Sequence, residues 1–178
     1  MALKPTIYKC RLALSDLDRN LFDSHNLTIA LHPSENIARM VARILAWCLN
    51  ASDNLVFCKG LSDSEEADLW SKDLNDAIEL WIDVGEPAVD RIKKASRIAK
   101  AVKVYSFNSK SDTWWKLGHK QYLVLHAEYF QFPWEQIETL ASNVNRTMDW
   151  SATISGNSIY VSTESGDVEV NIHPLQAV

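Results

Sequence analysis

At 178 residues the chain has the length of a single domain, 1–178, and its 47% hydrophobic content is enough to bury a substantial core. A net charge of −5 excludes bulk electrostatic binding of nucleic acid, so any such contact must come from a local basic patch. Three cysteines (Cys10, Cys48, Cys58) without metal-ligand spacing, no signal-peptide core and no membrane-length apolar run predict a soluble, cytoplasmic protein with reduced thiols and no membrane partner.

Thr6–Leu14 alternates polar and apolar residues and predicts a first strand, with Asn26–His32 as its partner and a polar connection over 15–25. His32-Pro33-Ser34 announces a helix. Ser34 is the expected N-cap, Glu35 complements the dipole in the first turn, and Ile37, Met40, Val41, Ile44, Leu45 and Cys48 make one apolar stripe up to about Ala51. Leu55–Cys58 reads as a short strand ended by Gly60, and the acidic segment 62–76 as loop or short helix.

Ile78–Val84 carries the clearest pattern. Ile78, Leu80, Ile82 and Val84 share one strand face; Glu79, Trp81 and Asp83 share the other. Gly85-Glu86-Pro87 breaks the strand and opens a helix over about 89–101, with Ile92, Ala95, Ala99 and Val102 at helical spacing and Lys93, Arg97 and Lys100 on another face. A strand over 102–107 completes a crossover unit, which predicts parallel pairing with 78–84. Beyond it we expect a short helix over 111–117 carrying Trp114 and Trp115, a long strand over 122–130, a helix over 133–144, and two hairpins from 147–155, 158–162 and 167–172. The fold class is α/β of the mixed (α+β) kind: a mixed sheet flanked by helices, with an additional antiparallel patch built from the two ends of the chain.

Several long stretches together resemble the YaeQ family of bacterial proteins: A-L-K-P-T-I-Y-K near the start, D-L-D-R at Asp16–Arg19, L-T-I-A-L-H-P-S-E at Leu27–Glu35, W-I-D-V-G-E-P at Trp81–Pro87 and R-I-K-K-A at Arg91–Ala95. The resemblance implies a variant of the PD-(D/E)XK nuclease-like fold, with a restriction-endonuclease-like core in which a few acids hold Mg²⁺ beside a lysine. On that pattern Asp83-Val84-Gly85 stands where the D/E-x-K tripeptide is expected, and Gly85 occupies the lysine's place. Lys93 or Lys94, one turn into the next helix, is the expected replacement. Glu79 stands for a second acid and Glu66 for a third, at a segment where the family commonly has proline in place of Ala67.

The expected metal ligands are therefore Asp83, Glu79 and Glu66, binding Mg²⁺ or Mn²⁺, and the expected catalytic set is Asp83, Glu79, Lys93 and Lys94. Arg91, Arg97 and Lys100 form the local basic face offered to nucleic-acid phosphates. Distance already strains this set, because four strand residues separate Glu79 and Asp83 by roughly 13 Å, whereas a Mg²⁺–oxygen bond is about 2.1 Å. Asp83, at the strand's C-terminal end, is the favoured ligand. Plainer readings stand beside these. On these the acids line a solvent face, Arg91 pairs weakly with Asp90, and Trp114 and Trp115 are core. Two functions result: a Mg²⁺-dependent nuclease or phosphodiesterase, or a non-catalytic nuclease-fold module that binds nucleic acid or a protein partner, with transcription as its expected setting.

Overall fold

In the computed structural model, which describes residues 4–176, two sheets and four helices follow one another along the chain. The first sheet contains β1 (Thr6–Asp16), β2 (Leu21–Leu31), β8 (Thr147–Ser155), β9 (Ser158–Thr163) and β10 (Gly166–Asn171), in the order β10-β9-β8-β1-β2. The second contains β3 (Leu55–Phe57), β4 (Leu69–Lys72), β5 (Ile78–Val84), β6 (Ala99–Ser106), β7 (Glu128–Gln131) and β11 (His173–Pro174), in the order β11-β7-β6-β5-β4-β3. The helices are α1 (Ile37–Leu49), α2 (Val89–Ile98), α3 (Ser111–Tyr122) and α4 (Trp134–Ala141). The mixed α/β architecture is the expected one. Among the described residues no helix is long and apolar enough to cross a membrane.

Helix α1 organises the core. Its apolar stripe is thickened by Ala38, Ala42 and Ala46, so nearly its whole circumference is buried. One apolar cluster joins α1 and α4 to residues of both sheets, including Leu12, Ile29, Trp150 and Val161 of the first and Leu69, Ile82 and Val84 of the second. A smaller cluster lies on the opposite face of the second sheet, where Trp81, Val102 and Val104 meet Ile92 and Ala95 of α2 and Trp115 and Tyr122 of α3. Strand β5 is therefore central: Ile82 and Val84 feed one core and Trp81 the other. It pairs in parallel with β6 as the crossover predicts.

Several boundaries differ from expectation for physical reasons. The polar connection expected over 15–25 is mostly strand, because β1 and β2 run eleven residues each and meet at a tight turn where Asn20 has φ 54°. Edge strand β2 exposes most of its first half, so polar residues there carry no apolar alternation. The N-cap of α1 is Asn36, whose side chain accepts from the Arg39 N–H at 2.8 Å; Ser34 instead meets the His32 ring. The acidic segment contains β4. The strand expected over 122–130 shrinks to β7, since Tyr122 ends α3 and a turn follows. The terminal sheet is not wholly antiparallel, because β1 and β8 pair in parallel.

The D-L-D-R stretch has a structural role. Arg19 donates to Asp16 at 2.6 Å, to the Cys48 carbonyl oxygen of α1 at 3.2 Å and to that of Ala51 just past the helix at 3.0 Å, closing the helix C-terminus. The thiols are free, and Cys10 and Cys48 are buried. Burial, with Asp149 and Glu164 adding to it, pushes the Cys10 thiol up to about 12. Iodoacetamide at mildly alkaline pH should therefore leave Cys10 and Cys48 unmodified in the native protein and label both once it is unfolded, as read by peptide mass. Labelling of either in the native state would contradict their placement.

Candidate acid–arginine centre

The end of β5 builds a cleft of about 320 Å³ whose lining includes Arg39, Asp68, Asp83, Gly85, Glu86 and Arg91. Asp83 follows Trp81 on the strand face that looks toward α2, and it is 1% exposed. The reading of this face as solvent surface therefore fails at Asp83. Its partner comes from the first turn of α2: Arg91 donates through Nε to Oδ2 at 2.7 Å and through Nη2 to Oδ1 at 2.9 Å, a bidentate fork. Arg91 also donates from Nη2 to the Glu66 carbonyl at 2.9 Å, which ties the helix to the loop before β4. Its guanidinium lies over the Trp81 ring, 5.5 Å from the centroid.

The second acid is Asp68, at the entry to β4 and 3% exposed. Its Oδ2 accepts from the Val84 N–H at 2.7 Å, which places it beside the end of β5, and its Oδ1 accepts from Arg39 Nη2 at 2.5 Å. Arg39 Nη1 donates to Glu35, and Glu35 accepts from Arg43 Nη2 at 2.6 Å. A chain of alternating charge thus runs Arg43–Glu35–Arg39–Asp68 along the start of α1. Burial raises the Asp83 carboxyl, and the neighbouring Asp68 charge adds to it; the Arg91 fork opposes both. Burial pulls the Arg91 guanidinium down, but Asp83 more than compensates and keeps it charged.

Glycines fix the surroundings. Gly85 has φ +118°, a conformation reserved for glycine, although a Cβ there would meet nothing closer than Phe107 at 4.0 Å. The lysine of a D/E-x-K tripeptide cannot occupy this position without backbone strain. At Gly60 the constraint is space: a Cβ would lie 2.5 Å from Asp68 Oδ1 and 2.7 Å from the Ala67 carbonyl. Gly60→Ala should therefore lower the melting temperature and disturb the Asp68–Arg39 pair. An unchanged melting temperature and an unchanged structure around Asp68 would show that the loop yields freely. Behind the cleft, Tyr122 Oη donates to the Pro87 carbonyl at 2.5 Å and Trp114 Nε1 donates to the same oxygen at 3.2 Å, so the aromatic pair anchors the Gly85–Pro87 corner.

The sequence-predicted residues divide accordingly. Asp83 and Arg91 meet in the cleft. Glu79 does not reach it: its side chain is 47% exposed and lies 3.5 Å from Lys100. The register between β4 and β5 shifts there, with Ser71 opposite Leu80 and Lys72 opposite Ile78, but the shift does not turn Glu79 toward Asp83. Glu66 closes its own loop, its carboxylate accepting from the Lys59 N–H at 2.8 Å. Among the described residues no three His, Cys, Asp or Glu side chains converge to hold a metal, so Asp83, Glu79 and Glu66 are not assembled as a ligand set. Lys93 and Arg97 are exposed, Lys94 pairs with Glu65 at 2.5 Å and Lys100 with Asp73 at 3.4 Å. The basic group that α2 sends into the cleft is Arg91. Trp115 is core, and Trp114 packs against it. Asp68, Arg39 and Glu35 are the site residues that sequence reasoning passed over.

Fold and cleft together define a two-sheet mixed α/β protein with paired acids and arginines at the C-terminal end of a central strand. A family model described as YaeQ protein matches residues 1–172. The uncharacterized protein YaeQ of Escherichia coli (strain K12) is 38% identical over 180 residues, covering 99% of this chain and 98% of that protein; the Salmonella typhi protein of the same description is also 38% identical. The crystal structure of YaeQ from Xanthomonas axonopodis pv. citri is similar with a TM-score of 0.93 at 31% identity, covering 98% of this chain and 99% of that one. That from Pseudomonas syringae is similar with a TM-score of 0.92 at 34% identity, covering 98% and 97%. The chain belongs to the YaeQ family.

Proposed function

We propose that the cleft is the phosphodiester site of a Mg²⁺-dependent, nuclease-like protein acting on nucleic acid, with Asp68 and Asp83 as its paired acids. The observation that carries this reading is the burial of two carboxylates side by side at the end of a central strand, where open α/β sheets place their ligands. Two carboxylates are a donor set that suits Mg²⁺, which takes one or two such ligands and keeps waters in its other positions. Bound there, the ion would lower the pKa of a coordinated water and offset phosphate charge. The protein's own groups supply the rest. Arg91 and Arg39 have the planar fork that matches phosphate oxygens. Arg91 takes the charge-stabilising part of the absent lysine but, always protonated, cannot act as a base. Arg97, in the last turn of α2, and Lys100, at the start of β6, would meet more distant phosphates. The free thiols suit a cytoplasmic setting.

Cleavage of single- and double-stranded DNA and RNA, assayed with Mg²⁺ and Mn²⁺, tests the proposal. Activity should require the metal and fall by at least about a hundredfold in Asp68→Asn and Asp83→Asn, a loss of the size seen when one charge-stabilising group is removed. A second reading, the non-catalytic module, is favoured by one specific observation: all four oxygens of Asp68 and Asp83 already accept hydrogen bonds from protein donors. Nucleic-acid binding that is metal-independent and unchanged in both variants would favour it.

A further inference from the structure

Resting on the phosphodiester reading above, we propose that Arg91 is an exchange residue: it holds Asp83 until a phosphodiester takes its guanidinium, so that metal and phosphodiester enter together and neither binds well alone. The two arginines of the cleft differ in what they would lose. Arg39 pairs with both Asp68 and Glu35, so release of Asp68 leaves it a buried carboxylate partner. Among the described residues Asp83 is the one carboxylate that Arg91 pairs with; its other acceptors are the carbonyl oxygens of Glu66 and, at 3.4 Å, Ser64. A cation that displaced Arg91 from Asp83 would leave a guanidinium with 24% exposure facing a second positive charge. An anionic phosphate oxygen removes that conflict by giving the fork an equivalent acceptor. Arg91 is the more exposed of the two and lies on the α2 side of the cleft, so it is the one placed to turn outward.

Asp83 also has a second donor waiting. The indole N–H of Trp81, two residues earlier on the same strand face, is buried without a hydrogen-bond partner of good geometry, yet it lies close enough to Asp83 to help hold its carboxyl down. Both Asp83 oxygens are already taken by the Arg91 fork. Once the fork leaves, a rotation lets one Asp83 oxygen accept from Trp81 and frees the other. An orphaned donor beside an acid is costly unless some state of the site uses it. The exchange supplies that state, and atoms and charges balance because only hydrogen-bond partners are traded.

Thermal unfolding and calorimetric titration of the full chain test the exchange, using Mg²⁺ alone, a short oligodeoxythymidylate alone, both together, and a methylphosphonate oligomer of the same length whose backbone carries no charge. The wild-type melting temperature should rise with Mg²⁺ plus oligodeoxythymidylate and hardly respond to the other arms, with an apparent Mg²⁺ affinity at least about tenfold higher when the charged oligomer is present. In Arg91→Gln that dependence should disappear, Mg²⁺ alone binding as well as with the oligomer. Arg91→Met, which likewise removes both the charge and the fork, gives the same comparison if the glutamine variant does not fold. Mg²⁺ binding to the wild type alone as tightly as with the oligomer would overturn the exchange and leave the phosphodiester site standing. Absence of Mg²⁺ binding in every arm, wild type and variants alike, would overturn both.

Discussion

Arg91→Ala should cost about 3–5 kcal/mol of stability at neutral pH, because it leaves the Asp83 carboxylate, 2% exposed in its side chain, without its cationic partner. In a chain of this size that is a fall of roughly 10 °C or more in melting temperature. The reverse truncation, Asp83→Ala, should cost less, since Arg91 is partly exposed and can turn to water. The pH dependence gives the mechanism a signature. In the variant Asp83 keeps the burial that raises its pKa and loses the fork that lowers it. A carboxyl whose folded pKa exceeds its unfolded one favours the fold below the unfolded value, about 3.9, and loses that contribution as pH rises through the folded value. The deficit against wild type should therefore be smallest near about pH 4 and grow toward about pH 7, measured by denaturant unfolding at each pH. A deficit independent of pH would mean that Arg91 acts through packing on Trp81 instead.

The second large effect belongs to Glu35. Its carboxylate is 2% exposed in its side chain and holds Arg43, whose side chain is 5% exposed, as well as Arg39. Arg43 Nε already lacks a partner among the described residues, and without Glu35 the remaining bond of its guanidinium is to the Ala30 carbonyl at 2.9 Å. Glu35→Ala should cost about 3–5 kcal/mol, the loss expected for an uncompensated buried charge. The same change made with Arg43→Met should cost clearly less, because the stranded charge is gone; the double-mutant cycle reads the difference. Equal costs in both backgrounds would show that Glu35 acts mainly through Arg39 and Asp68.

Where the sequence was legible, local pattern and buried pattern coincided. The alternation of Ile78–Val84, the Gly-Glu-Pro break and the apolar spacing of α2 lead directly to the parallel β5–β6 pair, because central strands and crossover helices leave strong periodicities. Asp83 emerged from the same logic as the acid at a strand's C-terminal end. Asp68 did not, because an acid-rich run reads as solvated loop and its burial depends on partners far along the chain, Arg39 and Val84. A usable signal lay beside it: Leu69-Trp70-Ser71-Lys72 alternates, and Asp68 immediately precedes it, so Asp68 rather than Glu66 stands at the strand entry. The plainer reading of Arg91, a surface pair with Asp90, fails because adjacent helical residues do not face each other; its partner sits eight residues back on β5. The apolar stretch after Tyr122 illustrates the ambiguity of short apolar runs, which suit a helix end as well as a strand.

The most direct measurement is a crystal structure of the protein grown with Mn²⁺ and a short single-stranded oligonucleotide, the ion located by its anomalous signal. A peak is expected within ligand distance of one oxygen from each of Asp68 and Asp83, with the Arg91 guanidinium turned from Asp83 to a phosphate oxygen. A peak elsewhere, or an oligonucleotide bound while Arg91 remains forked on Asp83, would contradict that expectation.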